Sequence, residues 1–397
     1  MAEDPKTWNP ATQLVRGGMM RSQYGETAET LYLTQGYTYD TAGAADARFE
    51  GTEPGFVYSR YANPTTSMFE QRLALLEGAE ACRATASGMA AVHTALTGLV
   101  SAGDHIVAAK ALFGSSRWIL GQWAPRFGIE VTLVDAADTA QWAAAMRPNT
   151  KAVLIESPAN PLLEVTDIPA VVAAAREVGA KVIVDNVFAT PIFQKPLQLG
   201  ADVVVYSATK HIDGQGRVLG GAILASNELI ESAYRDLLRH TGPSISPFNS
   251  WVLVHGLTTL EVRVRAQTAN ATVLADLIGD HAATKRVFYP GRADFPQAEA
   301  ARRQMTGFGT MIALDLGTRD AAWAFLDALE IVDISNNVGD AKSLATHPTT
   351  TTHRSMTEEA RLEVGVTPGV IRLSVGLEDI ADLSRDVARA LDAAKGK

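Results

Sequence analysis

The stretch DVVVYSATK (202–210) runs a β-branched apolar segment straight into Ser207, Thr209 and Lys210. A lysine at the mouth of a buried strand, beside two hydroxyls, sits where open α/β sheets place their ligands. The residues that follow, HIDGQGRVLGG (211–221), are rich in glycine and supply little packing, unlike an ordinary connector. A second apolar run, KVIVDN (181–186), ends in Asp185. A buried carboxylate without a partner is costly, so Asp185 should face a cation. A protonated pyridine nitrogen is such a cation. Ser87-Gly88-Met89 opens an apolar helical stretch. The N–H groups at a helix start bind phosphate, and glycine lets the anion approach. Arg372 lies among apolar neighbours in VIRLSV (370–375) and needs a partner of its own. Each feature alone has a plain structural explanation: a surface lysine, a turn cap, a small residue before a helix. Together they give an amine, a carboxylate for a ring nitrogen and a phosphate seat, with an arginine in an apolar strand still to be partnered. The first three are the needs of pyridoxal 5′-phosphate (PLP).

These side chains must be held by elements that the sequence also shows. Short β-branched runs occur at 105–109, 130–134, 151–155, 181–185, 202–206 and 221–225. Several are apolar on successive residues, as in a parallel sheet buried on both faces. Helical patterns at 65–77, 88–100 and 168–178 alternate with them, which predicts an α/β unit. After about residue 250 the texture changes. A long helical stretch (251–282) leads into 310–316, 320–330, 370–375 and 378–394, which predicts a smaller α+β unit. Residues 340–368, rich in Thr, read as a long loop near a site. Residues 1–60 carry few periodic apolar runs and read as an arm that packs on another subunit. The expected division is an arm (1–60), a cofactor-binding α/β unit (61–255) and a C-terminal α+β unit (256–397).

The net charge of −9 would repel phosphate backbones, which argues against a nucleic-acid partner. Cys82 is the single cysteine, so no internal disulfide forms, in keeping with a reducing compartment. The start, MAEDPKTWNP, lacks an apolar signal core, and no apolar run is long enough to span a bilayer. A cytoplasmic protein without a membrane partner is the expectation. GxGxxG and GxxxxGK[ST] fingerprints are missing, and no HExxH or CxxC points to a metal.

The motifs YSRYANPT (58–65), SGMA (87–90), ESPANPLLE (156–164), VDN (184–186), SATKHIDG (207–214) and IRLSVGLED (371–379) occur in this order. In that order they resemble the γ-family of PLP enzymes of cysteine and methionine metabolism, from about residue 20 to 390. The resemblance implies the aminotransferase-like fold (fold type I) with a mostly parallel central sheet. It implies that Lys210 holds PLP as a Schiff base and moves protons at Cα and Cβ, and that Asp185 faces the ring nitrogen. It implies phosphate contacts from Gly88, Met89, Ser207 and Thr209. Tyr58, which also counts among the catalytic residues, and Arg60 would reach the phosphate from a neighbouring subunit. Asn160 would lie near the cofactor's phenolic oxygen and the substrate carboxylate. Arg372 would grip that carboxylate in a bidentate fork, with Ser335 contacting the same group. A homotetramer with shared sites is the implied assembly.

One departure narrows the activity. Much of the family stacks a tyrosine on the cofactor ring, within a Tyr-Gly motif. Here ALFGSSRW (111–118) puts Phe113 in that place, which stacks but has no hydroxyl to act as an acid. Ser115 stands where a methionine γ-lyase typically has cysteine. With RGGMMRSQYGETAET (16–30) and FNSWVLVHGLTTLEVR (248–263), these features look most like O-succinylhomoserine sulfhydrylases. The implied reaction is γ-replacement of succinate by sulfide, giving L-homocysteine, a step of methionine biosynthesis. Cystathionine γ-synthase with cysteine as nucleophile, a γ-lyase, and a non-catalytic PLP-fold binding protein are the alternatives.

Overall fold

The computed structural model describes residues 4–397, so the first three residues of the expected arm lie outside the described residues. The larger sheet has strands β1 (Ala81–Thr85), β2 (His105–Ala109), β3 (Glu130–Val134), β4 (Thr150–Glu156), β5 (Lys181–Asp185), β6 (Val203–Ser207) and β7 (Gly221–Ala225). Their spatial order is β1-β7-β6-β5-β4-β2-β3. β7 runs antiparallel to β1 and β6, and the remaining pairs are parallel. The parallel strands are apolar on consecutive residues because both faces are covered. In β6, Val203 and Val205 join a core with Val92, Leu96 and Val171, while Val204 and Tyr206 join another with Phe69, Leu73 and Leu257.

The smaller sheet contains β8 (Arg286–Phe288), β9 (Met311–Asp315), β10 (Asp333–Ile334), β11 (Leu344–Thr346) and β12 (Val370–Ser374), in the order β10-β11-β12-β9-β8. Ile371 and Leu373 of β12 pack on Leu383, Val387 and Leu391 of the helix Ile380–Ala394. Side chains alternate across a strand, so Arg372 faces away from that core.

Most of the expected elements form where the pattern puts them. β1 was not legible, because ACRAT has little β-branched content and an arginine at its centre. The helical stretch 251–282 divides into Pro247–Thr258 and Leu260–Asp280. The Thr258 hydroxyl donates to the Val254 carbonyl, and Thr259 accepts from Arg263 Nε. Such side-chain bonding competes with the regular helix ladder. The 340–368 segment holds β11 and the helix Glu358–Glu363. The N-terminal segment carries the helices Pro10–Arg16 and Ala42–Glu50. It is pinned by a buried ion pair, Arg72 to Glu29 at 2.5 Å. Among the described residues no helix is long and apolar enough to cross a membrane.

Candidate active site

β4, β5 and β6 are neighbours, and they end in Glu156, Asp185 and Ser207. The carboxyl ends of adjacent parallel strands therefore bring these groups to one mouth. A cavity of about 150 Å³ opens there, lined among others by Gly88, Met89, Phe113, Asn160, Lys210 and Arg372.

Lys210 lies in the turn after β6, and Nζ donates to Asn337 Oδ1 at 2.6 Å. Burial, with Arg372 nearby, pulls its amine down to about 8. The turn is backed by the helix Pro247–Thr258: a Cβ on Gly256 would meet the Ile212 carbonyl at 2.2 Å. Asp185 is half-buried and accepts the Val187 N–H at 3.1 Å. Burial pushes its carboxyl above the usual range. It has no cationic side-chain partner among the described residues, although it lines the cavity.

Ser87 caps the helix Gly88–Thr97 by accepting the Ala90 N–H. Gly88 and Met89 are its first residues, so their N–H groups have no carbonyl of that helix within reach. A Cβ on Gly88 would come 2.5 Å from Ser207 Cβ, and one on Gly221 would come 2.1 Å from the Ser87 carbonyl oxygen. Only glycine lets this helix start close on β6 and β7. Thr209 does not line the cavity, and its hydroxyl is engaged to the backbone of Gly220.

Arg372 is buried, with Nη1 donating to Asn160 Oδ1 at 2.7 Å and Nη2 to the Asn336 carbonyl at 2.8 Å. Burial lowers even this guanidinium, to about 10. Phe113 is part-exposed at the rim.

Ser335 does not line the cavity. It sits at the edge of β10, bonded through its N–H to Ala345 and accepting the Asn337 N–H. The loop leaving β10 turns inward only afterwards, where the Asn336 carbonyl accepts from Arg372 and the Asn337 side chain accepts from Lys210. Tyr58 and Arg60 lie elsewhere in the single chain. The Arg60 guanidinium stacks on Tyr58 and Tyr61, with ring-centre distances of 5.5 and 4.9 Å, and bonds the Arg239 carbonyl.

The sequence reading missed Glu156, Asn337 and Thr352, which lines the cavity. Glu156 was in plain view in ESPANPLLE, where a carboxylate closing an apolar strand carries the signal that Asp185 carries. Asn337 and Thr352 come from loops, where no periodicity marks a residue.

The donor set suits PLP. Lys210 offers an amine lowered toward neutrality, Asp185 a half-buried carboxylate without a cationic side-chain partner, and the glycine-bared helix start a seat for phosphate. The fold and this site define a PLP enzyme of the aminotransferase-like class, fold type I. The chain belongs to the Cys/Met metabolism PLP-dependent enzymes, whose family model matches residues 11–392. It is 51% identical over 392 residues to an O-succinylhomoserine sulfhydrylase of Mycobacterium tuberculosis, covering 98% of this chain and 97% of that one. A Pseudomonas aeruginosa protein of the same name is 46% identical over 383 residues, covering 96% and 95%. A crystal structure of a Campylobacter jejuni protein described as an O-acetylhomoserine (thiol)-lyase contains N′-pyridoxyl-lysine-5′-monophosphate. It superposes with a TM-score of 0.93 at 30% identity, covering 97% of this chain and 100% of that one.

Proposed function

We propose that the protein converts O-succinyl-L-homoserine and sulfide to L-homocysteine and succinate. The observation that carries this reading is the convergence of Lys210, Asp185 and Arg372 on one cavity, in a chain so similar to the sulfhydrylases over nearly its whole length. PLP, when bound, supplies a sink for the electron pair released at the substrate's Cα.

In this reading Arg372 and Asn160 hold the substrate α-carboxylate and fix its distance from Lys210. Burial lowers the Lys210 amine to about 8, toward working pH, so it would take the proton from Cα, give it up, and then take one from Cβ. The C–O bond at Cγ breaks with its electron pair, and succinate leaves. Sulfide forms the new C–S bond at Cγ, and Lys210 returns the protons. Asp185 would hold the ring nitrogen's proton. Gly88, Met89, Ser207 and Thr209 would seat the phosphate, and Phe113 would cover the ring. Phe113 has no hydroxyl to protonate a leaving group, and succinate needs no such help, since a carboxylate leaves as a stable anion.

Tyr58 and Arg60 would complete the phosphate seat of a neighbouring subunit. Their distance from the cavity of their own chain supports this, as do the exposed Tyr24, Leu33 and Phe49 in the same segment. The reading includes a homotetramer in the cytoplasm. It also includes an arm (1–60), a cofactor-binding unit (61–255) and a C-terminal unit (256–397). The confinement of one sheet to 81–225 and of the other to 286–374 supports that division.

The test is purified protein with PLP, O-succinylhomoserine and sulfide, followed for homocysteine and succinate. Equal amounts of both are expected. Faster turnover with cysteine would make it a cystathionine γ-synthase, and 2-oxobutanoate without a second substrate would make it a γ-lyase.

A further inference from the structure

Glu156 takes no part in the mechanism above, yet it is buried at the mouth of the cavity. Oε2 accepts the Phe113 N–H at 2.7 Å, and Oε1 accepts the Asn160 N–H at 2.8 Å. These N–H groups belong to separate loops, one leaving β2 and one leaving β4. The Asn160 side-chain oxygen in turn accepts from Arg372 Nη1 at 2.7 Å. One carboxylate therefore links the residue at the ring position to the arginine at the substrate position.

A carboxylate so placed needs a reason. Glu156 pairs in register with Asp185 across β4 and β5, so both side chains stand on one face of the sheet. Burial and then the Asp185 charge push the Glu156 carboxyl up, while the two N–H bonds and Arg372 oppose this. Like charges side by side at a strand end are unfavourable. An amide would avoid that repulsion, but its NH₂ would turn hydrogens toward one of the two backbone donors. A carboxyl keeps a lone pair on each oxygen for the two donors, whichever charge it carries.

We infer that Glu156 is a positioning residue that clamps the backbone of Phe113 and Asn160 to the end of β4, setting the ring-covering side chain and the Asn160–Arg372 pair from a single point. The inference rests on the roles proposed above for Phe113 and Arg372.

The test compares the PLP-loaded Glu156→Gln variant with wild type by amide hydrogen exchange, visible circular dichroism of the bound cofactor, and steady-state kinetics. Glutamine keeps one acceptor, so one of the two amides should lose protection about tenfold or more. The dichroism of the cofactor band should change as the ring loses its fixed cover. KM for the homoserine ester should rise about tenfold, through the loosened Asn160–Arg372 pair, with a smaller change in kcat. A folded variant with unchanged dichroism and KM overturns the clamp. The wild type alone gives a second reading that needs no variant: the Phe113 and Asn160 amides should exchange slowly, and fast exchange at both overturns it. A wild type that protects both amides but turns over no homoserine ester supports the clamp and ends the proposed reaction.

Discussion

At the scale of single residues, the site runs on burial. Lys210 and Arg372 are both cations lowered by desolvation, and each is held by an asparagine oxygen rather than a carboxylate. A neutral acceptor orients the lysine without locking it in the charged form. In cofactor-free protein, labelling of the Lys210 amine should rise through a pH near 8, the value to which burial lowers it. Asn337→Asp should shift that profile to higher pH, since a carboxylate favours the ammonium. Asn337→Ala should shift it lower, since the ammonium loses an acceptor. The pH dependence of labelling, read by mass spectrometry, checks both. Arg372→Lys keeps the charge but loses the fork. KM for the homoserine ester should rise about ten- to hundredfold while kcat falls less, as steady-state kinetics will show.

At the scale of elements, positions come from strand ends and from close approach. β4, β5 and β6 deliver Glu156, Asp185 and Ser207 because parallel strands share one carboxyl edge. The phosphate seat depends on how near the helix Gly88–Thr97 comes to that edge. Gly88→Ala should force its Cβ against Ser207, where only 2.5 Å is free. Overpacking of this kind costs about 1–3 kcal/mol. We expect a lower thermal midpoint and weaker PLP binding, measured by calorimetry and by equilibrium titration of the cofactor-free protein. A lowered midpoint with unchanged PLP affinity would separate the helix start from the phosphate seat.

At the scale of the whole molecule, the interior holds several carboxyls above their usual range. Burial raises Glu77 to about 8 and Glu164 to about 7, and it raises Asp185 and Glu156 as well. A carboxyl whose folded value is raised stabilises fully below its unfolded value, and that stability is lost as pH rises through the folded value. The buried His211 and His353, lowered to about 3 and about 4, act oppositely, but only below their unfolded value of 6.5. Between pH 6.5 and 8 the carboxyls outweigh Lys210, which opposes them but gives up its proton only as pH nears 8. The thermal midpoint of the cofactor-free protein should therefore fall across this window, as scanning fluorimetry in matched buffers would show. A flat or rising midpoint would mean that these carboxyls are solvated or paired.

The sequence by itself determined the alternation of strands and helices, and with it the α/β architecture, because apolar period and β-branching are local properties. It also marked Lys210, Asp185, Gly88 and Arg372, because a polar residue closing or interrupting an apolar run stands out in one dimension. β1 escaped, since its burial depends on β7 beside it. Tertiary structure alone decided which loop residues meet the marked ones. Ser335 and Asn337 are equally plausible in a string, yet the turn after β10 sends Asn337 to Lys210 and leaves Ser335 at the sheet edge. Glu156 reads as one more strand-end acid until two loops, separate in sequence, bring their N–H groups to it. Such contacts arise from packing between distant segments, where spacing along the chain carries no information.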